Sequence, residues 1–465
     1  MKIILIEGSC RGQESSSLYF ARRLMSTADK SLRFEILEVG KYIKVLAENR
    51  DFFDSYLKAM QESDAVIWLV PVRNLLPCYE ICHFLSLIDS RNAGERLENK
   101  YTTALFTSSF FSHREAEEYL AAACQTWDMN YIRGFHCRPD AAINENGTDK
   151  WLRFADAFFG KVRLRFPCEK FYSLSRERSL PFKPVETASV PKKSTEKKIL
   201  ILTAGSGKNP NLKKMIDTWK RYFPYETETV NLSDLSLCFP CSGCMNCFRD
   251  RKCSGNDNIS KTVYPKYRDA DAVIFASEIC FGLFEPQIKL FLDRIFIPAY
   301  FDRNRPKETV YLFSGSLKNK FSLEKYIHHK SILHGERTVG IIGDDEKSAR
   351  QITANIAGLA KATAGRLESV HRPEPESDSE AEFRKRFERT LLLPPSKPFF
   401  LFRNSVCLAP VRVPLKLKIQ ILKIRIRSYF RKNEQERKHL YLQALDHLLS
   451  KTETKSLPRG KGSAR

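Results

Sequence analysis

The chain has 465 residues, 42% of them hydrophobic and 11% aromatic, a composition that supports packed cores and excludes a disordered polymer. No apolar run approaches the ~18 residues that span a bilayer, and Met1-Lys2 runs straight into Ile3-Ile4-Leu5-Ile6 without a secretory pattern. A cytoplasmic location follows as the expectation, with the 13 cysteines reduced and better suited to metal ligation than to structural disulfides. The net charge of +22 is uneven, because 21 Lys and Arg stand against 6 Asp and Glu between Ala381 and Arg465. The basicity describes the tail, not the core.

Continuous apolar runs predict strands at Lys2–Ile6, Arg33–Val39, Ala65–Val70, Thr103–Thr107 and Tyr131–Phe135. Helical periodicity falls between them, at Ser17–Ser26, Phe52–Gln61 and Tyr79–Leu87. After a Pro-, Ser- and Lys-rich stretch at 167–196, the pattern begins again. Strands are expected at Lys198–Thr203, Glu226–Asn231, Ala272–Ser277, Thr309–Ser314 and Thr338–Ile342, and a last helix near Lys347–Ala364.

The two halves are copies. Asp64-Ala65-Val66-Ile67-Trp68 recurs as Asp271-Ala272-Val273-Ile274-Phe275, and Phe84-Leu85 as Phe291-Leu292, both at an offset of 207 residues. The opening strands are offset by only 196, so the second copy carries 11 extra residues before its Asp-Ala-Val-Ile strand. Strands apolar on both faces and alternating with helices argue for a parallel sheet in a doubly wound α/β domain.

The extra length holds Cys241, Cys244, Cys247 and Cys253, spaced C-x2-C-x2-C-x5-C. Two tight pairs a dozen residues apart would suit zinc. This compact run is closer to the thiolates that hold iron–sulfur clusters. A redox-sensitive, disulfide-forming loop is the alternative. His328, His329 and His334 have no partners at ligand spacing, and most of the other cysteines read as ordinary buried thiols.

In such a sheet, ligands bind beyond the carboxyl ends of the strands, at the switch point. There the first copy offers a loop with Ser9, Arg11 and Ser15, and the second a loop with Gly205, Ser206, Lys208, Asn209 and Asn211. Backbone N–H groups at a helix start, with hydroxyl and amide side chains, suit one phosphate. Helix capping alone would use the same residue types. Neither loop has the spacing of a dinucleotide or ATP site. After the third strand of the second copy come Ser277, Phe281 and Gly282, where an aromatic ring and a glycine can lie against a planar ligand.

Gly205-Ser206, the cysteine run, Ser277 with Phe281-Gly282, and the stretch Lys289 to Arg294 together resemble the NADPH-dependent FMN reductase and iron–sulfur flavoprotein group. The resemblance covers about Lys198 to Gly358, and departs from the group at Leu212, Glu278 and Cys280. The first copy is similar in Gly8-Ser9 and in Pro71 to Pro77, with Arg73 where an aromatic is expected near a flavin, so this copy is expected as a flavin-poor partner. The resemblance implies two tandem flavodoxin-like, doubly wound domains with five-stranded parallel sheets, at 1–166 and 197–370. A linker at 167–196 joins them, and a basic, partly helical extension occupies 371–465. It further implies FMN bound through the loop residues named above, NAD(P)H as electron donor, and a cluster, of the 4Fe-4S type, on the four cysteines. Electrons would leave to a redox partner or a small-molecule acceptor. Relatives pair around the flavin, so the chain is expected to form either an internal pseudo-dimer or a homodimer.

Residues 415–432 alternate apolar and basic side chains, and at helical spacing Leu415, Ile419, Leu422 and Ile426 share a face. Such a helix can pack on the core, lie on an anionic membrane surface or dock in a protein groove. Nucleic acid is suggested by charge alone, with no recognition motif beside it. Two classes of function therefore stand. One is a flavin-dependent electron-transfer oxidoreductase. The other is a non-catalytic interaction protein that keeps the fold and works through its tail.

Overall fold

The structure is a computed structural model, which describes residues 1–12, 15–108, 114–137, 145–174, 181–185, 189–205, 210–236, 238–244, 246–318, 323–345, 348–369 and 377–392. Ser206, Lys208, Asn209 and the basic stretch 415–432 thus lie outside the described residues.

The first copy opens with β1 (Lys2–Glu7), α1 (Ser16–Thr27), β2 (Arg33–Leu37), α2 (Val39–Glu48) and α3 (Arg50–Gln61). The hairpin β3 (Ala65–Arg73) and β4 (Leu76–Pro77) leads into α4 (Tyr79–Ser90). Then follow β5 (Tyr101–Thr107), α5 (Arg114–Thr126), β6 (Asn130–Tyr131), β7 (Phe135–Cys137) and α6 (Glu145–Arg163). The second copy runs β8 (Ile199–Thr203), α7 (Pro210–Tyr222), β9 (Glu228–Asn231), α8 (Asn246–Asp250) and α9 (Tyr264–Asp269). Its hairpin β10 (Ala272–Cys280) and β11 (Leu283–Phe284) leads into α10 (Pro286–Phe301). It closes with β12 (Lys307–Ser314), α11 (Leu323–His334), β13 (Glu336–Gly343), α12 (Ala349–Glu368) and α13 (Asp378–Leu392).

The first sheet has the order β2-β1-β3-β5-β6, with β7 also pairing β5, and the second the order β9-β8-β10-β12-β13. All these pairings are parallel, and only the short hairpin strands β4 and β11 run antiparallel. This is the doubly wound, flavodoxin-like order, twice in one chain. Helices cover both faces of each sheet, which explains the unbroken apolar strands. Ile4 and Ile6 enter one core while Ile3 and Leu5 enter another. Leu200 and Leu202 divide from Ile199 and Ile201 in the same way.

Three cores result, and the central one is shared between the copies. The helices α4 and α10 pack on each other there. Residues Pro286 to Tyr300 of α10 are almost all buried, Lys289, Asp293 and Arg294 included. Lys289 and Asp293, one helical turn apart, form a fully buried ion pair within that contact. Asp293 also accepts from the backbone N–H of Tyr79 at 2.9 Å, and Lys289 donates to the carbonyl of Arg73 at 3.2 Å.

Both hairpins turn through two consecutive residues of positive φ, Asn74 and Leu75 in the first copy, Phe281 and Gly282 in the second. The left-handed region costs a bulky residue such as Phe281 about 1–2 kcal/mol. Its ring stacks on Trp127 with centroids 4.8 Å apart and planes 6° apart. Burying a phenylalanine contributes about 2–3 kcal/mol and aromatic stacking about 1 more, so packing outweighs the strain.

Two expectations differ from the structure in detail. The fifth strand expected at Tyr131–Phe135 is instead two short strands on either side of residues 132–134. The backbone N–H of Gly134 leaves the ladder and donates to Glu117 Oε1 at 2.7 Å. The second strand stops at Leu37 because α2 starts at Val39, and Gly40 packs on the β1–α1 loop. The segment expected as a linker is anchored where it is described: Leu174 is buried in the shared core and Phe182 in the outer core of the second copy.

Candidate functional site

The four cysteines of the run line one cavity of about 320 Å3, together with Arg73, Asp293 and Arg294. The cavity lies where the copies meet, since Arg73 belongs to the first hairpin and the thiols to the second copy. Two glycines let guanidinium groups approach the run. A Cβ on Gly243, whose φ is +64°, would stand 2.2 Å from Arg73 Nη2. One on Gly255 would stand 2.1 Å from Arg294 Nη2.

Arg294 is held rigidly. It donates to both Asp257 carboxylate oxygens at 2.6 and 3.0 Å, to the Phe239 carbonyl at 2.7 Å and to Ser260 Oγ at 2.7 Å. Its Nε points at Cys253 Sγ, 3.0 Å away. Arg73 is less committed: its buried Nε has no hydrogen-bond partner among the described residues. Burial pushes the Cys241 thiol up, with Arg73 pulling it back down. Burial and the three neighbouring thiols push Cys247 far up. Cys10 of the first copy reaches the Cys241 carbonyl at 3.9 Å. Among the described residues, no three His, Cys, Asp or Glu side chains converge as ligands of a single metal ion.

The phosphate-type loop of the first copy is occupied from within. Glu7, the last residue of β1, is fully buried. Its Oε1 accepts from Ser9 N–H at 2.8 Å, Ser15 Oγ at 2.9 Å and Ser17 Oγ at 3.1 Å. Burial raises its carboxyl to about 7, while the serines and Ser9 N–H pull the other way. Ser15 also caps α1 by accepting from Leu18 N–H, and Arg11 N–H donates to Ser9 Oγ at 3.2 Å. The loop is packed from the side by Ile81, and Cys78 Sγ donates to the Gly8 carbonyl at 3.1 Å.

In the second copy, Gly205 has a φ of +107°, a conformation natural to glycine. Its N–H bonds Ser233 Oγ at 2.8 Å. A Cβ there would meet carboxylate oxygens of Glu285 at 3.3 Å and Glu278 at 3.7 Å. Burial and the nearby Glu278 raise Glu285 to about 7. Asn211 bridges the linker to the end of β13, accepting from Phe182 N–H and donating to Asp344 at 2.9 Å. Ser277 Oγ accepts from Glu285 N–H at 2.8 Å and donates to the Glu278 carbonyl. The Phe281 ring lies on Trp127, and Leu174 sits against Gly282.

The structure therefore gathers the four cysteines at one cavity, and turns the described loop residues toward protein partners. Sequence reasoning missed Glu7, although a glutamate closing an apolar strand just before a Gly-Ser loop is a visible signal. It noted Arg73 only as a missing aromatic, and its place beside the cysteines depends on how the copies pack.

Residues 1–138 match the sequence profile of the NADPH-dependent FMN reductase family. An iron–sulfur flavoprotein of Methanocaldococcus jannaschii is 36% identical over 69 residues, which is 15% of this chain and 35% of that protein. The chain thus spans about a third of the length of the curated relative it matches. Among solved structures, the flavoenzyme NAD(P)H:(acceptor) oxidoreductase of Paracoccus denitrificans is 17% identical with a TM-score of 0.29, covering 35% of this chain and 97% of that one. The NAD(P)H:quinone oxidoreductase of Methanothermobacter marburgensis is 13% identical with a TM-score of 0.29, covering 38% and 100%. At such scores the fold assignment rests on the strand order itself. The resemblance to FMN reductases and iron–sulfur flavoproteins holds, and the half that matches the family profile is the half whose loop is closed by Glu7.

Proposed function

We propose that the chain is a flavin-dependent oxidoreductase, taking electrons from NAD(P)H through FMN in its second copy and passing them through a thiolate-held iron–sulfur cluster to a redox partner or small-molecule acceptor. The observation that carries this reading is the single cavity lined by Cys241, Cys244, Cys247 and Cys253 at the junction of the copies. The flavoprotein relative supports the flavin part, and the family profile, which matches residues 1–138, supports the common ancestry of the first copy rather than a flavin in the second.

The residues fit a cluster in their chemistry. Four soft thiols surround a cavity instead of converging on a point, and two guanidinium groups stand beside them to balance a polyanion. The orphaned Arg73 Nε is a donor left for such a group. For FMN, the first copy does not fit, because its loop donors are spent on Glu7. The second fits in the left-handed Gly205 that opens the loop before α7. A bound flavin supplies hydride acceptance and a bound cluster supplies one-electron transfer. Around them, Arg294 and Asp257 hold Cys253 in place, Arg73 brings positive charge from the other copy, and the α4–α10 contact keeps both halves fixed. We read that contact as an intramolecular counterpart of the pairing expected for relatives.

A second reading is favoured by one feature. Glu278 and Glu285 beside Gly205 oppose an anionic ligand there, as in a fold that has lost its flavin and serves as an interaction protein. The visible spectrum of anaerobically purified protein, with iron and flavin assays, separates the two. A chain that stays colourless and iron-free after reconstitution with FMN, iron and sulfide sinks the oxidoreductase reading. No helix of the described residues is long and apolar enough to cross a membrane. Attachment of 415–432 to an anionic membrane surface stays a proposal, and vesicle co-sedimentation with and without that stretch tests it.

A further inference from the structure

We propose that Glu7 is a built-in occupant of the first copy's phosphate pocket, and that this one carboxylate excludes FMN from that copy. The inference rests on the proposed function in one respect, that these loops descend from FMN phosphate loops.

A phosphate in such a loop is held by N–H and hydroxyl donors at the start of the helix. Here Ser9 N–H, Ser15 Oγ and Ser17 Oγ all give their hydrogens to Glu7, between 2.8 and 3.1 Å. The second oxygen of the carboxylate is contacted too, by Ser17 Oγ at 3.2 Å. An acidic group on the strand end therefore stands for the anion that the ligand would bring. The arrangement has a physical logic. A buried loop with unmet donors costs stability, so a chain that gives up the ligand must either replace those donors or satisfy them internally. Glu7 does the second, and keeps the loop in a ligand-like form.

A phosphate dianion cannot simply join. It would compete for the same three donors, at a position the Glu7 carboxyl group already fills. Gly40 closes one side of the loop, since a Cβ there would lie 2.3 Å from the Ser9 carbonyl carbon. The second copy has no counterpart to Glu7, because Thr203 ends its first strand and is followed by Ala204. At most one flavin is thereby assigned to a chain with two flavodoxin-like domains.

Equilibrium dialysis of the full chain against FMN, with riboflavin and inorganic phosphate as comparison probes, tests this on wild type, Glu7→Ala and Glu7→Ser. The variants should bind one more FMN per chain than wild type, with the added site competed by inorganic phosphate and not created for riboflavin. Circular dichroism and a cooperative thermal transition establish that each variant is folded, and the serine variant supplies a polar replacement if alanine does not fold. That added site supports the inference whether wild type binds one FMN or none. A wild-type count of none would sink FMN binding in the second copy without touching Glu7. Two FMN per wild-type chain, or no added site in a folded variant, overturns the inference.

Discussion

Tyr119 of the first copy donates its hydroxyl to the Phe281 carbonyl of the second, across 3.3 Å. The reciprocal contact is also present: Asn74 Nδ2 of the first copy donates to Tyr326 OH of the second at 3.1 Å. Tyr326 lies 207 residues after Tyr119, and Phe281 lies 207 after Asn74. Residue i meets j while the copy of i meets the copy of j, which is the signature of a two-fold, self-complementary interface. Duplication has placed both faces of that interface in one polypeptide.

That symmetry makes the interface testable. Tyr119→Phe removes one buried hydrogen bond and should lower stability by about 1 kcal/mol. Asn74→Ala should cost more, about 2 kcal/mol, because it loses its bonds to Tyr326 and the Leu292 carbonyl and leaves alanine at a positive φ. Urea midpoints measure both, and equal small effects would argue against the paired arrangement.

Arg294 and Asp257 form a buried pair with side chains only 2% and 0% exposed. Asp257→Ala leaves the guanidinium without its partner, and should cost about 3–5 kcal/mol. Gly255→Ala attacks the same pair sterically. Both should also change the reactivity of Cys253 toward a thiol reagent, since each shifts the guanidinium whose Nε stands 3.0 Å from its Sγ. Unchanged thiol kinetics would mean that Arg294 does not hold that cysteine.

Arg73 brings its charge across the copies. In reconstituted protein, Arg73→Gln should leave the iron content unchanged while shifting the cluster midpoint potential downward, because removing a cation disfavours adding an electron. An EPR-monitored redox titration reads this. An unchanged potential would show that Arg73 does not sense the cysteine site.

The pH dependence has a definite sign. Burial raises Glu7, Glu80 and Glu285 from the ordinary 4.5 to about 7. At these three sites the folded chain keeps protons that the unfolded chain has released, so their contribution to stability should fall as pH climbs from about 4.5 to about 7, against the opposite contribution of buried His83, which burial lowers to about 4. Above that window the loss is complete and constant. Glu80→Gln should flatten the slope of the urea midpoint between pH 5 and pH 8, and an identical slope would contradict the burial of its charge.

Much of the fold was legible because a doubly wound sheet writes itself locally. Strands covered on both faces must be apolar throughout, as at Ile3 to Ile6 and Val273 to Phe275, and the repeat at 207 residues gave the second half independently. Boundaries were less legible where tertiary contacts end an element, as where Gly134 leaves its ladder for Glu117. The cysteine run was visible as a ligand set, and its cavity was not. Glu7 lay in plain view at the end of a strand, but the partners of a buried carboxylate cannot be read from one dimension.

By itself, the sequence determined two copies of one α/β domain, an insertion carrying four thiols, and a resemblance to flavin-dependent reductases. Those are properties of periodicity, spacing and motif, which are local or repeat along the chain. Only the tertiary structure decided that Arg73 of one copy stands against the thiols of the other, and that Glu7 takes the donors a phosphate would use. Both depend on side chains brought together from distant positions, where burial and low dielectric turn an ordinary charge into a determinant of what can bind.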